Sequence, residues 1–107
     1  MTTLKIKPTK EKDIQAVILQ YLNLKGYFCW RTNAGAMKID NRFIRFSYAP
    51  GISDIIGIAR DGSFIAIEVK RPGKTTTVTQ KAFLKEIEKH RGYAIVATSL
   101  DDVEKIL

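Results

Sequence analysis

Three charged side chains border two short apolar segments in the middle of this chain. Asp54 precedes the first segment, and Glu68 and Lys70 end the second. Asp61-Gly62 between them is typical of a tight β turn, since glycine adopts positive φ at little cost. The start of one strand of such a hairpin lies beside the end of the other, so we expect the three side chains to meet at one end of a sheet. Because side chains alternate along a strand, Glu68 and Lys70 should share one face.

The paired carboxylates favour a metal site over simpler explanations. Taken alone, Asp54 would be a strand-cap residue, Glu68 the partner of an ordinary salt bridge, and Lys70 a strand-end lysine that reaches solvent. Two carboxylates held close repel, however, unless a cation or a proton lies between them. Glu68 also ends a strand that is otherwise apolar on both faces, where an unpaired carboxylate is costly. The sequence therefore predicts Asp54 and Glu68 as ligands of Mg²⁺ or Mn²⁺, which prefer oxygen donors.

Helices are predicted on both sides of these strands. Pro8-Thr9 marks the start of the first helix, with Thr9 as its N-cap, and Gly26 marks its end. Thr77 and Gln80 have the spacing of a capping box at the start of the second helix.

The remaining elements complete one small domain. Further strands are expected at 27–32, 42–46 and 93–97, with a last helix at 100–107 capped by Ser99. The order α-β-β-β-β-α-β-α predicts an α/β fold, a mixed sheet with helices on both faces, in a single domain spanning 1–107. The strand–helix–strand unit from 65 to 97 should be a right-handed parallel crossover. Residues 1–8 are expected to be a flexible lead-in.

The composition favours a polyanionic partner. The chain has 107 residues and a net charge of +7, and a basic domain of this size favours nucleic acid over a membrane surface. Cys29 is the single cysteine, so neither an internal disulfide nor a cysteine–histidine zinc cluster can form. With no long apolar run, we expect a soluble, intracellular protein. Phe28 and Trp30 are interpreted as core residues rather than base-stacking platforms, and His90 as a capping cation at a helix C-terminus.

Asp54 and the later Glu68-Val69-Lys70, separated by thirteen residues and preceded by Pro50-Gly51, resemble the motif of the PD-(D/E)xK nuclease superfamily. A first helix carrying Glu11 and a Gln80-x-x-Phe83-Leu84 helix after the motif make the order similar to the VRR-NUC branch, the virus-type replication-repair nucleases. The resemblance covers residues 11 to 103 and is strongest to small stand-alone members from phages and bacteria. It implies a restriction-endonuclease-like fold. Eukaryotic members carry a longer stretch before the glutamine, so substrate contacts made there do not transfer.

The resemblance also implies roles for individual residues. The main-chain carbonyl of Val69 becomes a further metal ligand, and Lys70 holds the attacking water and neutralises charge on the phosphate. Glu11 and Gln80 support the site, although the helix dipole alone would explain Glu11 and the capping box alone would explain Gln80. The expected phosphate contacts are Arg31, Asn33, Lys74 and Lys81, with Lys85 a further candidate.

The function implied is that of a metal-dependent DNA endonuclease acting on branched or four-way junction DNA, cytoplasmic in a bacterial cell or phage-infected host. We expect a homodimer, because one site cuts one strand, with the first helix and the strand from Phe43 to Phe46 as interface. Two other functions stay open: a nucleic-acid-binding module without catalysis, and a small subunit of a phage replication machine.

Overall fold

The computed structural model of this protein describes residues 8–33, 36–45 and 49–107. The predicted lead-in therefore lies almost wholly outside the described residues. The elements, in chain order, are α1 (Glu11–Leu24), β1 (Phe28–Arg31), β2 (Ala36–Ile39), β3 (Arg42–Arg45), β4 (Ile55–Ile58), β5 (Phe64–Val69), α2 (Val78–Lys89), β6 (Tyr93–Ala97) and α3 (Leu100–Glu104). The predicted α/β fold is confirmed. None of the helices in the described ranges has the length and apolar run that crossing a membrane requires.

A four-stranded mixed sheet forms the centre of the protein, with the strand order β1-β4-β5-β6. The β1–β4 and β4–β5 pairs are antiparallel, whereas β5 and β6 are parallel. The parallel pairing confirms the crossover through α2, because two parallel neighbours cannot be joined by a hairpin.

A second sheet, consisting of β2 and β3 alone, was only half predicted. β3 confirms the strand expected at 42–46 as far as Arg45, and Phe46 lies outside the described residues. β2 was assigned to no element, so the predicted order lacks one strand. Asp40 and Asn41 join the two strands with φ of 49° and 62°, values typical of a two-residue hairpin turn. The Asp40-Asn41 pair, two turn-forming residues between Ile39 and the alternating Arg42–Arg45 strand, was the available signal.

The N-cap of the first helix lies one residue later than predicted. Lys10, not Thr9, occupies the N-cap position, and no side chain caps the helix. The main-chain carbonyl of Lys10 accepts from the N–H groups of Asp13 and Ile14, both at 3.0 Å. At the other end the prediction is confirmed: Gly26 has φ +84° and follows the last turn, as helix C-termini commonly require.

The later helices confirm one predicted cap and correct another. Thr77 and Gln80 form both hydrogen bonds of the capping box that starts α2. Ser99 holds the N-cap position of α3, but its side chain makes no capping bond. Instead the carboxylate of Asp102 accepts from the main-chain N–H of Thr98 at 2.8 Å. α3 ends at Glu104 rather than at 107.

Alternation along the strands sends odd-numbered and even-numbered residues to opposite faces. Odd-numbered side chains of the sheet form the main core with α1 and α3, and this cluster includes Ile14, Ile18, Leu22, Ile55, Ile65, Ile67, Val69, Ile95, Ala97 and Val103. The even-numbered face carries Glu68 and receives α2, since Gln80 of that helix donates to Glu68. The helices thus lie on both faces of the sheet, as predicted.

Candidate active site

Asp54 and Glu68 lie side by side, as the hairpin pattern predicts. β4 and β5 pair with Ile55 opposite Ile67. Asp54, just before β4, therefore lies beside Glu68, the next residue of β5. The main-chain N–H of Val69 donates to Asp54 Oδ2 at 2.7 Å. This bond fixes one carboxylate oxygen of Asp54 at the end of the central strand.

Glu68 is a buried carboxylate with one satisfied and one unsatisfied oxygen. Its exposed fraction is only 2%. Gln80 Nε2 donates to Oε1 at 3.0 Å, and Lys70 Nζ lies 3.5 Å from the same atom. Oε2 is buried and has no hydrogen-bond partner among the described residues. An unsatisfied oxygen of a buried carboxylate is costly, so this atom calls for a cation or a proton.

Burial and mutual repulsion disfavour the ionised forms of both carboxylates. Loss of solvent and the neighbouring charge of Asp54 raise the pKa of Glu68 to about 8, against a smaller opposing effect of Lys70. Loss of solvent also raises the pKa of Asp54, although the N–H of Val69 opposes this. At neutral pH the pair therefore retains a proton unless a cation takes its place.

The donor atoms fit a hard divalent cation. Mg²⁺ typically takes one or two carboxylates and fills its other positions with waters and substrate phosphate. Asp54 and Glu68 supply such a pair, and the unsatisfied Oε2 of Glu68 supplies the free donor. Within the described part of the chain, no three His, Cys, Asp or Glu side chains form a metal-binding group. The geometry therefore fits a site completed by main-chain oxygen, water or phosphate.

Lys70 is held beside the carboxylates by the parallel strand pair. Its main-chain N–H donates to the carbonyl of Ala97 at 2.9 Å, which anchors the residue after β5 to the end of β6. Its side chain is mostly buried and reaches Glu68, so the two residues share a face as predicted. A lysine in this position can neutralise negative charge that enters the site.

Gln80 performs at once the two functions that the sequence left as alternatives. Its Oε1 accepts from the N–H of Thr77 at 2.9 Å, and Thr77 Oγ1 accepts from the N–H of Gln80 at 3.2 Å. The other end of the same amide donates to Glu68. The capping box therefore orients the amide group that binds the buried carboxylate.

Gly51 and Thr32 hold the segment that carries Asp54 in position, and the sequence did not predict either role. Gly51 has φ +70°, and a Cβ there would lie 2.2 Å from the carbonyl oxygen of Thr79, so only glycine lets this segment pack against the first turn of α2. Thr32 donates from its N–H to the Asp54 carbonyl at 3.0 Å and from its hydroxyl to the Ser53 carbonyl at 2.9 Å. The Pro50-Gly51 pair signalled the first contact. Nothing local signalled the second, since it depends on the β1–β4 register.

Comparison with protein-family models decides the family. The model of the VRR-NUC domain matches residues 9–101 of the chain. This protein belongs to the VRR-NUC family. Its mixed α/β core is consistent with the nuclease-like architecture expected of such a domain. Comparisons with curated proteins and with solved structures gave no match.

Glu11 lies near enough to Asp54 for its charge to act on that carboxylate. It begins α1, and its side chain is half-buried. Burial is the main cause of the raised pKa of Asp54, and the negative charge of Glu11 adds a smaller upward contribution. The supporting role expected from the VRR-NUC resemblance therefore stays a prediction, compatible with this proximity.

The predicted phosphate contacts lie at the surface in three places. Arg31 ends β1 opposite Ile55, where its guanidinium donates to the carbonyl of Lys12 at 3.0 Å. Asn33 and Lys74 are exposed, the latter in the segment between β5 and α2. Lys81 and Lys85 line a groove of about 610 Å³ between α2 and Val96 of β6. Their contact with DNA remains a prediction.

Two aromatic residues were assigned wrongly to the core. Phe28 and Trp30 are both exposed, because their side chains point to the even-numbered face, where none of the described helices covers β1. By contrast, His90 occupies the C-cap position of α2 with Nδ1 2.8 Å from the carbonyl of Glu86, as expected.

The buried carboxylate predicts the pH dependence of stability. Because the folded-state pKa of Glu68 lies above its ordinary value, its contribution is fully present at low pH and is lost as pH rises from about 4.5 through about 8. In EDTA, the free energy of unfolding should therefore fall over this interval. The side chain of Glu68→Gln stays neutral, so the free energy of unfolding of this variant should fall less over the interval, by at least about 1.4 kcal/mol, the value of one pKa unit. Urea denaturation at several pH values measures the difference, and parallel profiles for the two proteins would contradict the prediction.

Proposed function

We propose that this VRR-NUC domain is a metal-dependent endonuclease that hydrolyses phosphodiester bonds in DNA, with Mg²⁺ or Mn²⁺ as cofactor. The observation that supports the proposal most is Glu68: a buried carboxylate with an unsatisfied oxygen, next to Asp54 and within 3.5 Å of Lys70. A domain that only binds nucleic acid gains nothing from carboxylates placed where a phosphate must approach. We further propose that the whole chain, 1–107, forms one such domain.

Each residue of the site has a separate task. Asp54, Glu68 and the main-chain carbonyl of Val69 would hold the cation, whose chemistry is to polarise the phosphate and lower the pKa of water. Lys70 would position the attacking water and balance the charge that develops on the phosphate oxygens. Water attacks phosphorus as the P–O3′ bond breaks, which leaves a 5′-phosphate and a 3′-hydroxyl.

Gln80, Glu11 and the exposed polar residues would position the reacting groups or the DNA rather than take part in the reaction. Gln80 holds Glu68 Oε1 and so keeps Oε2 directed to the cation site. Glu11, near Asp54 on the side of α1, would orient water. The exposed side chains of Arg31, Asn33, Lys74 and Lys81 would bind phosphates on both sides of the scissile bond, and a net charge of +7 supports this.

Loss of the reacting groups should abolish cleavage. Asp54→Ala, Glu68→Ala and Lys70→Ala should each lower the rate of plasmid nicking in Mg²⁺ or Mn²⁺ by at least about 100-fold. EDTA should abolish nicking by the wild-type protein. A well-folded Glu68→Ala protein with full activity would overturn the nuclease proposal and favour a binding module.

A matched pair of variants separates the capping role of Gln80 from its hydrogen bond to Glu68. Thr77→Ala removes the hydroxyl cap and should cost about 1 kcal/mol of stability, but it leaves the amide of Gln80 on Glu68 and should leave the nicking rate nearly unchanged. Gln80→Ala removes both bonds, so it should lower stability and the nicking rate together. Equal nicking rates for the two variants would show that Gln80 acts only as a cap.

Divalent cations should stabilise the folded protein. A ligand that binds only the native state adds about 2.7 kcal/mol when its concentration is about 100 times Kd, and it would also relieve the repulsion between Asp54 and Glu68. Thermal melts with and without Mg²⁺ or Mn²⁺ measure this. The stabilisation should vanish in Asp54→Ala, and an equal rise of Tm in both proteins would place the cation elsewhere.

We also propose that the protein acts as a homodimer on branched DNA such as a four-way junction. One site cuts one strand, and a twofold dimer is the commonest way to present two. The β2–β3 hairpin supports the idea, since within residues 36–45 as described it pairs with no strand of the four-stranded sheet, and a two-stranded hairpin alone is marginally stable. Packing against α1 and β3 of a second copy would stabilise it.

Sedimentation equilibrium and junction cleavage test the homodimer together. The expected mass is twice the chain mass of 12.1 kDa, and the expected products are paired symmetric nicks across a four-way junction. A protein that sediments at the chain mass and nicks one strand only would contradict both parts.

A further inference from the structure

The even-numbered face of the sheet carries side chains in rows that lead to the carboxylate pair. Residues opposite each other in antiparallel strands share a face, and the registers of β1, β4 and β5 align three such rows. The first row is Phe28, Ile58 and Phe64, the second is Trp30, Ile56 and Ala66, and the third holds Asp54 and Glu68. Successive rows lie about 7 Å apart along the strands.

Of the described helices, only α2 lies on this face, and it covers the half formed by β5 and β6. α2 lies over β5 and β6, where Gln80 contacts Glu68 and Leu84 shares a groove with Val96. Over β1 and β4, in contrast, Phe28 is 69% exposed, Trp30 42% and Ile58 43%. The rings of Phe28 and Trp30 contact each other with centroids 5.1 Å apart and planes tilted by 52°. We call Phe28, Trp30, Ile58 and Phe64 the aromatic shelf.

We propose that the aromatic shelf binds unpaired nucleobases of the DNA strand whose phosphate enters the carboxylate site. This inference rests on the proposed function, which it deepens by naming the substrate class: branched DNA in which nucleotides next to the scissile bond are unpaired, as where base pairs open at the branch point. Exposed aromatic rings on a sheet face are a recurring platform for bases, because every base offers a flat surface to stack on.

Position and charge favour bases over a second protein copy as the occupant. Trp30 lies one row from Asp54 and Glu68, and Phe28 lies two rows away, so flanking nucleotides of a bound strand reach the shelf. A second copy seated on the shelf would stand over the row that a phosphate must approach. The net charge of +7 also favours a polyanion over a second copy of the same basic chain. Paired bases keep their faces stacked inside the duplex, so only unpaired ones can use the shelf.

Trp30 is the single tryptophan of the chain, so its fluorescence reports on the shelf alone. The experiment is a titration of the wild-type protein in EDTA, where no cleavage occurs, with a single-stranded oligonucleotide. The matched control oligonucleotide has the same phosphates but abasic sites in place of its bases. We expect strong quenching by the first and at most weak quenching by the second, with a blunt duplex resembling the abasic strand.

Substitutions give an independent readout by affinity. Trp30→Ala should weaken binding of the single strand about tenfold, within the range for loss of one stacked base, and Trp30→Phe should retain most of the affinity. Ile106→Ala removes an exposed apolar side chain that lies beyond α3, outside the shelf and the proposed interface, and should leave affinity unchanged. Thermal melts of each variant confirm that it is folded.

The outcomes separate this inference from the proposed nuclease. Equal quenching by the intact and abasic strands, or unchanged affinity in Trp30→Ala, overturns base stacking even if DNA is cleaved. A change in Trp30 emission with protein concentration alone, without DNA, assigns the shelf to a contact between copies and also overturns it. Base-dependent quenching supports the inference whether or not cleavage occurs, so failure of cleavage bears on the proposed function only.

Discussion

Glu68 stands in a strand that the fold buries on both faces, and the remaining structure of the site follows from the cost of keeping its carboxylate there. Burial raises its pKa to about 8, and neither Lys70 at 3.5 Å nor the amide of Gln80 satisfies Oε2. An apolar residue would stabilise this strand end without any partner. The protein instead carries a charge that only a proton or a cation can balance, which is a common property of sites where ionised groups react.

Three elements from separate parts of the chain meet at that carboxylate. β4 brings Asp54, fixed by the N–H of Val69. β6 anchors Lys70 through the carbonyl of Ala97. α2 brings Gln80, which its own capping box orients. The close approach of Gly51 to Thr79 packs the segment before β4 directly against the first turn of α2, so the elements that carry Asp54 and Gln80 are in direct contact.

Local patterns predicted this convergence because each of its parts is encoded within a few residues. The Asp61-Gly62 turn sets the hairpin, the Thr77–Gln80 spacing sets the helix start, and alternation puts Glu68 and Lys70 on one face. Features that depend on distant residues were missed or wrong. The contact of Thr32 with Ser53 and Asp54 needs the β1–β4 register. Phe28 and Trp30 were predicted to be core residues because aromatic side chains are usually buried. Which face of an edge strand a helix covers is decided by tertiary packing, which the local sequence does not encode.

The two faces of the sheet divide the work of the domain. The odd-numbered side chains, apart from Arg31, are mostly apolar and form the main core with α1 and α3. Among the described helices, α2 alone lies on the even-numbered face, over β5 and β6, and Phe28, Trp30 and Ile58 of β1 and β4 are exposed beside the carboxylates. A second helix on that face would bury Phe28 and Trp30 and stabilise the protein further. It would also close the approach to Asp54 and Glu68, so the uncovered half of the sheet is the cost of an accessible site.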